Sequence, residues 1–321
     1  MRAIWYDRPG PAAEVLQVGE LPDPEPGPGE VRVRLSFSGI NPGDTKKRAD
    51  WVGYGMRYSR VIPHSDGAGV IDSVGEGIDP GRQGRRVWVY GAQSYRPFGT
   101  AAQLTVVPSA QAVDLPRGVG DEVGACLGIP GITAHRAVFA DGPVTGQTVL
   151  VHGVLGGVGS LAAQLALWGG ATVIGTVRHG RDLPTTGVPA IALDQPDPAA
   201  AIRARAPGGI DRIIEVAFAE NIDLDAAVAH NETIIAAYAT GRQRPDLPFW
   251  PMLFNNVTIR LLGSDDFPAE AKRQAAHDLT AAADEGALSI RVDPMPLEQA
   301  AAAHDRVDGG SRARVLLAIP Q

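Results

Sequence analysis

Cysteine is almost missing from this chain: Cys126 is the one cysteine in 321 residues. A lone thiol cannot close an internal disulfide, nor can it supply a cysteine-based zinc site. Lysine is scarce too, confined to Lys46, Lys47 and Lys272, with arginine supplying the rest of the positive charge. The formal charge is −7, and Lys and Arg nowhere gather into the long basic face that a phosphate backbone requires, so nucleic acid is not expected as a partner. Long apolar runs are also lacking. The opening MRAIWYDRPG carries Arg2, Asp7 and Arg8 and holds no stretch suited to a signal peptide or membrane span; no membrane partner and a cytoplasmic location are expected.

What is present suits a soluble globular chain, with 44% apolar and 20% charged residues. Its length exceeds what one hydrophobic core usually serves, so two domains are expected. The first third carries short β-like runs at 31–37, 69–74, 86–90 and 102–107, separated by Gly and Pro punctuation at 22–29 and 75–84. That texture predicts an antiparallel, β-barrel-like unit. The PDPEPGPG segment at 22–29 reads as a solvated loop between strands rather than a proline-rich ligand.

From about residue 124 the pattern changes to strand, glycine turn, apolar helix and strand, repeating towards Gly263. Six strands are predicted, at 148–152, 171–177, 190–193, 211–216, 233–238 and 257–262, enough for a doubly wound parallel sheet. A helix over 269–285, a strand over 289–292, a helix from Pro296 and a last strand over 314–319 follow. The fold class is therefore α/β. One domain is expected from 1–124 with 264–321, and a second from 125–263.

The segment TVLVHGVLGGVGSLAAQLALWGG places Gly153, Gly156 and Gly159 between a buried-strand run and an apolar helix. That is the context of a dinucleotide fingerprint. The first glycine permits the tight turn, the second lets backbone approach a pyrophosphate, and the third lets the helix pack on the sheet. The main chain of Gly153, Leu155, Gly156, Gly157, Val158 and Gly159 is the expected cradle, with the helix start favouring negative charge. NAD enzymes place an acid at the end of the second strand. Here Val177 is followed by Arg178, His179 and Arg181, with no acid before Asp182. Guanidinium groups recognise phosphate bidentately, so NADPH is expected over NADH, the alternative being two solvated surface arginines. The loop Tyr238, Ala239, Thr240 and Gly241 ends the fifth strand, where such loops approach the nicotinamide.

Five segments in order, SGINPGDT at 38–45, HSDGAGVIDSVG at 64–75, GIPGITAHRAV at 128–138, VLVHGVLGGVG at 149–159 and GGIDRIIEV at 208–216, make the chain resemble zeta-crystallin-type quinone oxidoreductases. These form a zinc-independent branch of the medium-chain dehydrogenase/reductase superfamily. The resemblance covers nearly the full length. It implies a GroES-like catalytic domain built from both chain ends, a Rossmann domain between them, and pairing through the Rossmann domain, members being commonly dimeric or tetrameric and a homodimer being expected here. Zinc-dependent relatives carry Cys and His in the stretches where this chain has Asn41 and Ser65, so no metal is expected. His64, one residue from a ligand place, reads as a loop or core histidine rather than a ligand.

By resemblance Asn41 and Thr133 lie beside the nicotinamide, fixing its carboxamide or the acceptor oxygen. Asp44 and Asp66 match acidic positions of the same motifs and are expected to hold cleft loops through backbone hydrogen bonds. Trp51, Tyr54 and Tyr58 are candidates for an aromatic wall, with core packing the alternative. Several members carry Tyr shortly after the first-motif Asn; this chain has Lys46, a cation that would shift preference towards an anionic or more polar acceptor. A second departure is RHGRDLPTTGVPA at 178–190, where Pro184 and Pro189 argue against a normal helix. Arg312 is a further candidate for the phosphate. The implied reaction is metal-free hydride transfer from NADPH to a quinone-like acceptor. The alternatives are NADPH-dependent reduction of an enone or enoyl thioester, and a non-catalytic NADPH-binding protein.

Overall fold

The computed structural model describes residues 1–185 and 187–320. The chain divides into two compact units: Met1–Pro130 with Ala276–Glu285 and Ser289–Gln321, and Gly131–Ala275 with Gly286–Leu288. Residues 125–130, 264–275 and 286–288 thus fall on the other side of the boundaries read from sequence texture. The later boundary lies inside the helix Ala269–Asp284.

The first unit begins with a hairpin-like pair, β1 (Arg2–Trp5) and β2 (Gln17–Glu20). Five strands follow: β3 (Glu30–Gly39), β4 (Asp66–Val74), β5 (Arg86–Val89), β6 (Leu104–Pro108) and β7 (Ala112–Asp114). The ten-residue β3 organises the sheet. Val31–Gly39 pairs antiparallel with β4 along one edge, and bulges between Arg32 and Val33 and between Leu35 and Phe37 bend it. A bulge increases the local twist, so the two halves of one strand can serve different neighbours. Residues 30–34 pair antiparallel with β6, whereas Phe37–Gly39 pair with a strand from the chain's C-terminal end. Alternate residues Val31, Val33 and Leu35 point inward and join Ile71, Val87, Val89 and Leu317 in a fully buried core.

The second unit carries β8 (Thr148–Val151), β9 (Thr172–Val177), β10 (Ala190–Ala192), β11 (Ile210–Glu215), β12 (Ala229–Ala237) and β13 (Thr258–Leu261). They form one parallel sheet in the order β10-β9-β8-β11-β12-β13. This is the doubly wound order, reversing direction between β8 and β11, and every predicted strand is found. Leu150, Ile174, Ile213 and Ile235 from four neighbouring strands pack with Ile202, Phe218 and Ile222 of the covering helices. After Val177 a 3-10 turn, Gly180–Thr185, stands where a longer helix would break at Pro184. Thr186 of that segment lies outside the described residues.

The chain then returns to the first unit through β14 (Val292–Pro296) and β15 (Arg314–Ala318). The strand predicted at 289–292 is displaced to Val292–Pro296, and the helix predicted from Pro296 is a 3-10 turn Leu297–Gln299 leading into Ala300–Asp308. Pro294 and Pro296 argue against a strand by pattern alone, yet β14 is the outer strand and pairs only with β15, where a missing N–H costs little. No helix of the described residues is long and apolar enough to cross a membrane.

Candidate active site

In the first unit the motif SGINPGDT places Asn41 at the start of the helix Pro42–Arg48, with Pro42 at the first helical position. The Asp44 carboxylate accepts the Asn41 backbone N–H at 2.7 Å, closing the turn. Asn41 is buried, and its amide nitrogen donates to Asp66 at 2.8 Å. Asp66 is fully buried and also accepts the Ile129 backbone N–H at 2.8 Å and Arg314 at 2.9 Å. Arg314 donates in turn to the Ile40 carbonyl. Both acids therefore tie loop backbone, and Asp66 with Arg314 forms a buried ion pair around Asn41. Burial pushes the Asp44 carboxyl up to about 7, with the nearby Asp66 adding to the shift.

His64 and Ser65 occupy the adjoining stretch. His64 bonds through Nδ1 to Ser38 at 2.8 Å and through Nε2 to His304 at 2.9 Å, all three buried. Burial first, then its histidine neighbour and Arg314, hold the His64 imidazole well below its usual range. This is a neutral core histidine. Its φ of 76° is uncommon for a residue with a side chain.

Lys46 sits one turn beyond Asn41 on the exposed face, its ammonium 4.6 Å from the Trp51 ring centre. Arg57 stands 5.7 Å from the Tyr58 ring and 6.0 Å from the Tyr95 ring, and the Tyr58 hydroxyl donates to the Tyr95 carbonyl. Trp51 and Tyr54 are 57% and 90% exposed, so core packing does not account for them. Arg312 is an exposed residue of the first unit.

In the second unit the glycine turn follows β8. Gly153 has φ +64°, which a side chain disfavours. A Cβ on Gly159 would lie 2.4 Å from the Gly153 carbonyl oxygen, so only glycine lets the helix Gly157–Trp168 start this close to the strand. Gly156 and Gly157 are exposed at the helix start, with Leu155 and Val158 half-buried beside them. Thr133 is buried on the helix Ile132–Phe139, whose last turn is anchored when the buried Arg212 donates to the Val138 carbonyl. Asn41 and Thr133 belong to different units.

Arg178 and Arg181, just past β9, are exposed, and neither has an acidic partner among the described residues. The turn that carries them is pinned by Asp194, which bonds His179 Nδ1 at 3.2 Å and the Gly180 N–H at 3.0 Å. At the end of β12 the Tyr238 N–H donates to the Glu215 carbonyl at 3.0 Å, and Ala239 accepts from Phe218 at 3.1 Å. The Thr240 hydroxyl and Arg242 backbone close a small turn after it.

Sequence reasoning did not single out His152, Glu215 and Asp225. All three are fully buried, and their donor atoms lie within 4.8 Å of one another beneath the glycine turn. Such a trio could gather about an ion. However, His152 Nε2 is at hydrogen-bond distance, 2.9 Å, from Asp225, and both Glu215 oxygens already accept from Asn221 at 3.1 Å.

Residues 27–117 match the family model for the alcohol dehydrogenase GroES-like domain. The chain is 36% identical to the quinone oxidoreductase of Rattus norvegicus over 185 residues, covering 55% of this chain and 52% of the relative. It thus spans about half the length of the curated relatives it matches. A solved NAD-dependent alcohol dehydrogenase superposes with a TM-score of 0.85 at 25% identity, over 100% of both chains. A mycobacterial protein solved with NADPH gives 0.84 at 25% identity, over 99% of this chain and 100% of that one. With its GroES-like segment, its doubly wound sheet and its quinone oxidoreductase relatives, the chain is similar to zeta-crystallin-type members of the medium-chain dehydrogenase/reductase superfamily.

Proposed function

We propose that the chain is an oxidoreductase that passes hydride from NADPH to a quinone-like acceptor without a metal ion. The observation that carries this is the glycine turn at the carboxyl end of β8, where the strand order reverses and a doubly wound sheet opens its crevice. The residues fit the cofactor. Gly156 and Gly157 leave the helix start open to a pyrophosphate, and Arg178 and Arg181 offer two exposed guanidiniums to a 2′-phosphate. Where zinc-dependent relatives hold thiolate and imidazole, this chain has Asn41 and Ser65, which are poor zinc ligands.

The cofactor, when bound, supplies the hydride, and the acceptor is already electrophilic. The protein's tasks are to position the ring, limit water and offer a donor to the developing oxyanion. Asn41 and Thr133, each a buried polar residue in its own unit, are the candidates for holding the carboxamide or the acceptor oxygen. Asp66 fixes the Asn41 amide, so that little reorganisation is left for the reaction. Tyr238, Ala239 and Thr240 are candidates for the nicotinamide side of the crevice. Lys46, held over Trp51, favours an acceptor bearing negative charge.

Steady-state NADPH oxidation with benzoquinones, naphthoquinones and enones tests the assignment. Turnover with a quinone at least about tenfold above any enone is expected. Enone turnover without quinone turnover would replace the acceptor class, and tight NADPH binding with no acceptor reduced would make the protein a binder only. Replacing both Arg178 and Arg181 by Ala is expected to lower the NADPH-to-NADH affinity ratio about 10- to 100-fold, the value of one or two charge-assisted hydrogen bonds. An unchanged ratio would remove the phosphate role.

A second copy of this chain is the expected partner, pairing through β13. Among the described residues that strand pairs only with β12, and Leu261 on it is 75% exposed, with Trp250 at 64% and Phe254 at 74% on the preceding helix. An open edge beside apolar side chains invites pairing. Sedimentation is expected to give a dimer for the wild type and a monomer for Leu261→Glu. A monomeric wild type would end this part of the assignment.

A further inference from the structure

The cluster beneath the glycine turn draws on five elements. His152, the residue before Gly153, is completely buried. Its Nδ1 lies 2.9 Å from Thr176 Oγ1 on β9, and its Nε2 lies 2.9 Å from Asp225 Oδ1 on the helix Phe218–Val228 and 3.7 Å from Glu215 Oε2 on β11. The same Thr176 oxygen accepts the Gly153 N–H at 3.4 Å. Glu215 accepts from the Ala217 N–H and from the Asn221 amide, and the Tyr238 phenol also faces it. Asp225 Oδ2 has no hydrogen-bond partner among the described residues. No Lys or Arg is bonded to any of these groups among the described residues, so the one cation available is the imidazolium of His152.

Two carboxylates and one imidazole in a dry site cannot all take their ordinary charges. An isolated buried charge is expensive, so the neutral arrangement is imidazolium, one carboxylate and one carboxylic acid. Burial raises the Glu215 carboxyl to about 7. Against the opposing effect of its own burial, Asp225 and Glu215 raise the His152 imidazole. Above neutrality the cluster sheds a proton and turns net negative directly under the helix start.

We infer that His152, Thr176 and Asp225 are positioning residues for the cofactor turn, and that binding of an anionic dinucleotide there is linked to uptake of one solvent proton by the cluster. The inference rests on the turn being the NADPH site. A negative cluster repels the pyrophosphate, whereas a neutral one does not, so anion binding and protonation of the cluster favour each other. No bond to the cofactor forms. The proton is shared within the carboxylate and imidazole set.

Titration calorimetry of NADPH binding in two buffers of different ionisation enthalpy, between about pH 7.5 and 8.5 where the 2′-phosphate is already ionised, reads the uptake directly. Wild type is expected to take up a substantial fraction of one proton, with affinity falling up to about tenfold per pH unit. Asp225→Asn leaves one carboxylate for one imidazolium and is expected to flatten that slope. Thr176→Val loses the contact to Gly153 and the hydrogen-bond partner of His152 Nδ1, and is expected to weaken binding and, by disfavouring the imidazolium, to move the fall in affinity to lower pH. His179→Gln controls for the exposed imidazole beside Arg178 and keeps the slope. Tight NADPH binding by wild type with no proton uptake and a flat pH profile would overturn the inference even if Asp225→Asn failed to fold. Absence of NADPH binding at any pH would instead overturn the cofactor assignment beneath it.

Discussion

Replacing Gly157 by glutamate is expected to lower NADPH affinity at least about 100-fold while moving the melting temperature by no more than about 2 °C. Gly157 is the first residue of its helix, is exposed, and a Cβ built there meets nothing within 4 Å. An acidic side chain at a helix start is favoured by the dipole, so the fold loses little. The bound pyrophosphate would face that carboxylate. Two like charges about 4 Å apart near a protein surface repel by roughly 4 kcal/mol at an effective dielectric of 20, which sets the size of the loss. Gly159→Ala inverts the outcome: a smaller side chain, but one whose Cβ would stand 2.4 Å from the Gly153 carbonyl oxygen, so the damage falls on the fold. Fluorescence titration with NADPH beside thermal melts separates the two. Affinity of Gly157→Glu within about threefold of wild type would mean the pyrophosphate does not lie on this turn.

The contrast between these glycines shows what could be read from sequence. Gly153, Gly156 and Gly159 follow a buried strand and precede an apolar helix, a local order that needs no distant information. The six parallel strands were legible for a similar reason, because a strand covered on both faces reads as a continuous apolar run. β14 was not legible: its prolines are tolerated only because it is an outer strand, and that depends on β15 lying beside it. The buried polar clusters were less legible still. Asp225 lies in FAENIDLDAAV, where an acid reads as a solvated helix face, yet it meets His152 from 73 residues away. His64 finds His304 across 240 residues, and Asp66 finds Arg314 across 248. Such pairs are set by how elements pack, so local patterning carries no trace of them. Asn41 and Thr133 came from resemblance, since an Asn before Pro and a Thr at a helix start are ordinary at those places.

Arg314→Met is expected to destabilise the first unit by about 3–5 kcal/mol, the usual consequence of leaving one partner of a buried pair without the other. Arg314 and Asp66 are 9% and 0% exposed, and the guanidinium also serves the Ile40 carbonyl, so its loss strands a carboxylate and a backbone acceptor together. Urea unfolding of Arg314→Met, Asp66→Asn and the double variant reads the coupling. The double variant is expected to recover much of the stability, because no net charge is left buried. Activity is expected to behave differently. Asp66 accepts from both the Asn41 amide and the Ile129 N–H, and an asparagine there keeps one acceptor oxygen where the carboxylate offered two. Asn41 then loses its fixed orientation, so kcat with a quinone stays at least about tenfold down in a variant whose fold has been restored. If activity returned together with stability, Asp66 would act only by holding the fold, and Asn41 would not be a group whose orientation the reaction depends on.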